Sequence, residues 1–550
     1  MTRSGARILV DQLVVHGADT AFCVPGESFL GVLDALLDAP IRLVVARHEA
    51  GAANMADAYG KLTGRPGICL VTRAPGATHA ATGVYTAYQD STPFILFVGQ
   101  VPRAHRGREV FQELDYSRLF AEVAKWVVEV ESAGAFPDVA AEAFRTATSG
   151  RPGPVVVALP EDVLVEEADV RDAPRYEADR PAPTTAELER VHALLDHAER
   201  PFVVVGGGGW SAQAAGDLQA WAEASALPVA ASFRRQDYLD NLSSSYAGVL
   251  TIGHAPALAA RLREADVLVA VGTRLGEITT RGYTTLVPPR TPNTLVHVHA
   301  DPGELGRVYE PDVAITADSS AFLAGMRALP PLDGAARSAW TESAHADYLS
   351  SLEYRRGPGA LDLGDVMADL RRRLPADAIV TNGAGNFSVW THRFYTFRQH
   401  GTQLAPCSGA MGYGIPAAIA AKVVHPERIA VCVAGDGDFL MSGQELAAAV
   451  QERTPIVVLL VDNSMYGTIR MHQERQFPGR VVGTDLVNPD FVALAESYGA
   501  YAELVERDSD FAGAFERALA SERPALLHLR VDPEAITPNA TISELRSGAA

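Results

Sequence analysis

Two apolar, β-branched runs joined through a helix-forming segment constrain this chain more than any other feature. The first run, 428–434, closes on Gly435-Asp436-Gly437-Asp438. The second, 456–461, closes on Asp462-Asn463, and 444–451 between them reads as a helix. Strand, helix and strand in that order make a right-handed crossover, which brings both carboxyl ends to one edge of a parallel sheet. Ligands of such sheets sit at that edge. Asp436 and the amide oxygen of Asn463 are hard oxygen donors, and a carbonyl in the following turn, that of Met465, can supply a third. Mg²⁺ suits this set, because it keeps an octahedral shell and completes it with phosphate oxygens. Gly437 lets backbone N–H groups approach such phosphates closely.

The rest of the chain follows the same plan. Residues 1–165 alternate helices with short apolar strands at 20–24, 41–46, 67–72, 94–98 and 154–159. A second segment, 185–330, has strands at 201–205, 228–231, 267–271 and 294–298, and a third, 360–535, holds the opening motif. A chain of 550 residues is too long for one core. The fold class expected is α/β, with three doubly wound domains and mainly parallel sheets. The charged, proline-containing stretch 166–183 reads as a linker. Beyond about Pro533 few large apolar groups remain, which suits a lid or a loose tail.

Composition excludes some classes of function. A formal charge of −20 and a pI near 5.2 argue against a nucleic-acid or anionic-membrane surface, either of which needs a basic footprint. The four cysteines show no paired metal spacing, and three lie in apolar runs, so they read as reduced core residues. No signal-type apolar region opens the chain and no uncharged run is long enough to span a bilayer, which leads to a cytoplasmic reading.

Gly-Asp-Gly at the end of one strand, with 25 residues between Gly437 and Asn463, resembles the signature of thiamine-diphosphate-dependent enzymes. The resemblance covers nearly the whole chain, as pyrimidine-binding (1–165), central (185–330) and diphosphate-binding (360–535) domains. It implies thiamine diphosphate and Mg²⁺ as cofactors. By itself Glu49, in Arg47-His48-Glu49-Ala50-Gly51, is an acid at a helix N-terminus, favoured by the macrodipole. The resemblance implies that it is the carboxyl group beside the aminopyrimidine ring, working across a dimer interface. A homodimer is then required, and the family commonly pairs dimers into homotetramers. The resemblance also gives Asn386, Gly437 and Asp438 to the diphosphate, the Gly409 carbonyl to the cofactor amino group, and Met411 to the bent shape of the cofactor. From residues alone, the glycine turn before Asn386 is equally well a structural feature, while the glycines close on either side of Met411 argue for a chain packed against a ligand over mere core filling.

Within the family, Gly99-Gln100, Phe111-Gln112-Glu113 and Lys125 look like the acetolactate (acetohydroxyacid) synthases, a group akin to pyruvate decarboxylases. There Gln112 would hydrogen-bond the acceptor carbonyl and Lys125 would attract the carboxylate of a 2-oxo acid. His79 stands where those synthases usually carry asparagine, either making a local hydrogen bond or shuttling a proton. His472 stands where they carry a tryptophan that shapes the acceptor pocket. In the central domain Gly206 to Gly209 resemble a dinucleotide turn with Ser211 in the third glycine position. Thr273-Arg274-Leu275-Gly276-Glu277 and His299 depart from the flavin-bearing pattern, while Asp301 can still take a ribose hydroxyl. FAD, ADP or an empty domain stay open. The implied activity is decarboxylation of a pyruvate-like 2-oxo acid and ligation of its acyl unit to a carbonyl acceptor. A 2-oxo acid decarboxylase or 2-hydroxyacyl lyase, favoured by His79 and His472, is the alternative. A non-catalytic cofactor-binding paralogue is disfavoured by the intact Glu49, Asp436 and Asn463.

Overall fold

The computed structural model describes residues 2–335 and 337–548. Three six-stranded sheets, each parallel throughout, run along the chain. The first contains β1 (Thr20–Cys23), β2 (Arg42–Val45), β3 (Gly67–Val71), β4 (Phe94–Gln100), β5 (Trp126–Glu129) and β6 (Pro154–Pro160), in the order β2-β1-β3-β4-β6-β5. Its inner strands are buried along their whole length, as a sheet covered on both faces requires. Three of its helices matter below: α1 (Glu49–Thr63), α2 (Ala74–Asp90) and α3 (Phe136–Thr148).

The central sheet contains β7 (Pro201–Val205), β8 (Val229–Ala231), β9 (Tyr246–Val249), β10 (Val267–Val271), β11 (Thr294–His299) and β12 (Val313–Thr316), in the order β9-β8-β7-β10-β11-β12. The third contains β13 (Ile379–Asn382), β14 (Gln403–Leu404), β15 (Ala430–Gly435), β16 (Ile456–Asp462), β17 (Tyr501–Val505) and β18 (Ala525–Arg530), in the order β14-β13-β15-β16-β18-β17. Among the helices of this part of the chain are α4 (Gly414–Val424), α5 (Glu445–Glu452), α6 (Gly467–Gln476) and α7 (Ile542–Ser547). The strands named from sequence lie within two residues of those observed. Of the strands it did not name, β5, β9, β12, β14 and β17 are sheet edges, while β18 is an inner strand whose apolar run is broken by His528. An edge strand has a strand partner on one side alone, and the apolar runs of β5 and β12 are only three residues long while β17 is interrupted by Glu503.

By contact the chain forms two compact units. One comprises Met1–Asp179, Pro406–Pro426 and Ser442–Thr454, and so takes in α4 and α5; the other comprises Arg180–Ala405, Glu427–Met441 and Pro455–Ala550.

In the first unit α1 packs against α2 and α4 through small residues; a Cβ at Gly83 would lie 2.4 Å from that of Ala53. A buried charged knot joins the three helices. Lys61 Nζ lies 2.7 Å from Asp57 Oδ2 and 2.8 Å from Asp90 Oδ2, and Tyr413 donates to Asp57 at 2.7 Å. Asp90 also accepts from the Cys407 backbone N–H at 3.0 Å. The segment bearing Gly409 and Met411 is thereby held on α1. The expected linker is packed in its first half: Glu167–Ala168 pairs antiparallel with Arg3–Ser4, and Gln12 bonds Asp172 at 2.7 Å and the Ala173 N–H at 3.1 Å.

In the second unit the central and third sheets meet at a buried polar joint of Gln236, His392 and Gln403. Gln236 Oε1 lies 3.0 Å from His392 Nδ1 and accepts from Gln403 Nε2 at 3.0 Å. Burial lowers the His392 pKa well below the usual histidine value, so the ring is neutral. The tail is not loose. Ile536, Ala540, Ile542 and Leu545 pack on Met465, and Arg546 grips Glu474 at 3.0 and 2.6 Å. Cys23, Cys69 and Cys432 are buried thiols and Cys407 is half-buried. Among the described residues no helix is long and apolar enough to cross a membrane.

Candidate active site

The β15–α5–β16 crossover places Asp436 immediately after β15, and Asp462, the last residue of β16, with Asn463 beside it. Asp436 is buried; its Oδ1 accepts from the Gly437 N–H at 2.9 Å and its Oδ2 from Asn488 Nδ2 at 2.8 Å. The same Asn488 amide donates to Asp462 Oδ1 at 2.9 Å, and His528 Nε2 lies 2.8 Å from Asp462 Oδ2. Burial pushes Asp436 up to about 6, the bonds from Asn488 and Gly437 oppose it, and the nearby Asp462 charge adds to it. Burial works the same way on Asp462, but bonds from His528 and Ser464 overcome it and bring that carboxyl down to about 2. Two buried carboxyl groups around one amide, with the Asn463 side chain making no hydrogen bond among the described residues, form a donor set that a hard cation would satisfy. The Met465 side chain is buried under the tail, so the hard donor this residue can offer is its carbonyl. Asn488 and His528 escaped the sequence reading because both lie far from the motif in sequence.

Three further residues of this edge have structural partners. A Cβ at Gly437 would lie 2.6 Å from Tyr466 Cε1, so the glycine is required by that ring. Asp438 accepts from the Ala384 N–H at 3.0 Å and leaves room only for glycine at 383. Asn386 donates to the Ile536 carbonyl at 3.0 Å and accepts from Thr468 Oγ1 at 3.0 Å, so both ends of its amide already hold the tail and α6.

In the first unit Glu49 opens α1. His48 is the N-cap, its Nδ1 accepting from the Ala50 N–H at 3.1 Å. His79, on α2, places Nδ1 2.9 Å from Glu49 Oε2 and stacks on His48 with ring centroids 4.5 Å apart. Burial, then the adjacent His79, lowers the His48 pKa. A residue the sequence reading missed lies beneath: fully buried Glu445 on α5 accepts from the backbone N–H groups of Arg47 and His48 at 3.1 and 2.9 Å.

The thiamine pyrophosphate enzyme N-terminal TPP binding domain matches residues 3–119, the central domain 188–326 and the C-terminal TPP binding domain 383–529. The chain belongs to the thiamine pyrophosphate enzymes. It is 32% identical to the acetolactate synthase isozyme 2 large subunit of Escherichia coli (strain K12), over 98% of this chain and 99% of that one. It is 34% identical to the acetolactate synthase large subunit of Parasynechococcus marenigrum, over 96% and 88%. A probable acetolactate synthase large subunit of Methanocaldococcus jannaschii is 31% identical, over 97% and 93%.

As a thiamine-diphosphate-dependent enzyme, the chain presents its other expected site residues unevenly. Gly409 is exposed in a positive-φ turn (φ +73°), and Met411 is half-buried instead of lying in the core. Gln112 has φ +63° and a buried Oε1 without a hydrogen-bond partner among the described residues, beside Phe111, which is 74% exposed. Lys125 is engaged here at the C-terminal end of α3, its ammonium donating to the carbonyls of Thr146 and Ser149, the latter at 2.7 Å. His472 is exposed on α6.

The central domain of this thiamine pyrophosphate enzyme fills its own crevice. At the switch point the ends of β7 and β10 touch, since a Cβ at Gly207 would lie 2.0 Å from the Gly272 carbonyl oxygen. Trp210 donates to the Gly206 carbonyl at 2.9 Å, Tyr238 and Arg235 donate to that of Gly207 at 2.7 and 2.9 Å, and the two aromatic rings stack at 4.4 Å. The glycines admit each other's backbone here, and these residues do not fit a dinucleotide such as FAD at this turn. Asp301 caps its own following turn, accepting from the Gly303 N–H at 2.8 Å.

Proposed function

We propose that this chain is a Mg²⁺- and thiamine-diphosphate-dependent carboligase of the acetolactate synthase kind, which decarboxylates a pyruvate-like 2-oxo acid and joins its acyl unit to a carbonyl acceptor. The observation that carries the reading is Glu49 at the head of α1 in a chain matched end to end by relatives named acetolactate synthase. The bound cofactor supplies the electron sink for loss of CO₂. Asp436, Asn463 and the Met465 carbonyl would hold Mg²⁺, which the raised Asp436 carboxyl supports. Gly437 and Asp438 shape the turn over which the diphosphate would lie. The Gly409 carbonyl and the half-buried Met411 would seat the aminopyrimidine, and Glu49 would hold a proton against that ring from the opposite subunit. A homodimer is therefore the minimal active unit, with a homotetramer as a pair of dimers, working in the cytoplasm. Gln112, with its buried oxygen, orients the acceptor, and His79 holds or passes a proton at Glu49 Oε2. FAD is given no part.

The His79–Glu49 contact favours a second reading, a decarboxylase or 2-hydroxyacyl lyase, because an imidazole at 2.9 Å from the activating carboxylate is placed to deliver a proton. Turnover of purified protein with Mg²⁺, thiamine diphosphate and pyruvate separates the two. Acetolactate with CO₂ is the expected outcome, acetaldehyde with CO₂ transfers the assignment to the second reading, and no consumption of pyruvate refutes it as the donor.

A further inference from the structure

We propose that Glu445 is a positioning residue for Glu49, fixing where the activating carboxylate stands by clasping the backbone at the head of its helix. The inference rests on the reading of Glu49 given above. The N–H groups at a helix start have no partner within the helix. At α1 the His48 ring takes the Ala50 N–H, and the two N–H groups just before the helix, those of Arg47 and His48, are taken by Glu445. One carboxylate oxygen receives both and the other receives Arg47 again, with every distance between 2.9 and 3.1 Å. A carboxylate at this end is also favoured by the helix macrodipole.

Two neighbouring contacts show why this one governs. Arg42 reaches Glu452 at 3.0 Å and Arg47 reaches Gln451 at 2.7 Å, but both are exposed and contribute little. Glu445 is wholly buried, and burial pushes its carboxyl up to about 7. The clasp is tight enough to select the residue opposite it: a Cβ at Gly51 would lie 2.4 Å from Glu445 Oε1. Gly51 has an ordinary helical backbone, so this close approach is what its lack of a side chain serves. His48, whose N–H is held, precedes Glu49 directly, so a displaced clasp displaces the activating carboxylate. Productive geometry in such sites tolerates about 0.5 Å.

The test compares wild type with Glu445→Gln, Glu445→Asp, Gly51→Ala and Glu49→Gln in full-length protein loaded with thiamine diphosphate and Mg²⁺. Deuterium exchange at the thiazolium C2 is read by quenched NMR. Amide exchange of residues 45–53 is read by mass spectrometry in cofactor-free protein. Glu445→Gln presents an NH₂ group to one of the two backbone donors. It is expected to speed amide exchange at Arg47 and His48 and to slow C2 exchange about tenfold, lowering kcat while leaving KM within about threefold. Glu445→Asp should recover part of the rate. Gly51→Ala, which displaces the carboxylate without removing it, should slow C2 exchange in the same way and supplies the test if Glu445→Gln fails to fold. Wild-type C2 exchange in a folded Glu445 or Gly51 variant, with Glu49→Gln slow, overturns the positioning role and leaves the activator reading intact. Wild-type C2 exchange in Glu49→Gln itself overturns that reading.

Discussion

At the carboxyl ends of β15 and β16 the chain presents Asp436 and Asn463, a buried acid and an amide that makes no hydrogen bond among the described residues. At the carboxyl ends of β7 and β10 in the central sheet it presents glycines that touch each other under Trp210 and Tyr238. Both sheets are doubly wound, with the strand order reversing between β13 and β15 in one and between β7 and β10 in the other, and a glycine-rich turn follows both β13 and β7. Topology supplies the place for a ligand; the side chains at the strand ends decide whether it is open and what charge it accepts. Glycine is ambiguous in the same way. Gly437 makes room for Tyr466 and Gly207 for Gly272, so neither is explained by an approaching phosphate alone.

The strongest way to break this contrast is Asp436→Ala, expected to weaken Mg²⁺-dependent cofactor binding about a hundredfold or more in titration calorimetry. Trp210→Ala should leave that affinity unchanged. It should instead cost about 3 kcal/mol in denaturant unfolding, by emptying the stacked crevice. Wild-type protein should show no flavin band in its visible spectrum, and a band there would erase the difference between the two edges. Asn488→Ala removes the amide bridging Asp436 and Asp462, and a loss of about tenfold in metal affinity is expected by the same calorimetry.

The smallest effect is in pH. The Asp436 carboxyl titrates at about 6 when folded, above its ordinary range, so its ionised form burdens the metal-free protein. Stability from this group is present below pH about 4 and is lost as pH rises through about 6. Asp462, brought down to about 2, acts in the opposite sense, holding above pH about 4 and failing as pH falls towards 2. Between those limits the melting temperature of metal-free protein should fall by a few degrees as pH rises. Glu445 slopes in the same direction, so the difference between wild type and Asp436→Asn isolates Asp436, and added Mg²⁺ should remove it.

Much of this was legible in the sequence. Inner strands of parallel sheets are buried on both faces and read as unbroken apolar runs, so the three-sheet plan and the β15–α5–β16 edge could be read directly. Edge strands such as β12, where buried and exposed residues alternate over four positions, give no comparable run. In the site, residues carried by local motifs, Glu49, Asp436 and Asn463, stand at the helix head and strand ends expected of them. Asn488, His528 and Glu445 act from a distance in sequence, and nothing in their own neighbourhoods announces a partner. Lys125 shows the converse. A lysine near a substrate motif has the right charge, and its long flexible side chain here reaches carbonyls at the end of α3, which the motif does not announce.

The Lys61–Asp57–Asp90 knot under α1 limits how this protein can change. Removing the lysine strands two buried acids, and removing either acid leaves the lysine with one counter-charge where it had two. A library of single substitutions would therefore return all three positions as immutable. A design replacing the trio together with apolar residues of matched volume could cross that gap in one step, so intolerance at these positions would report the route taken as much as the destination.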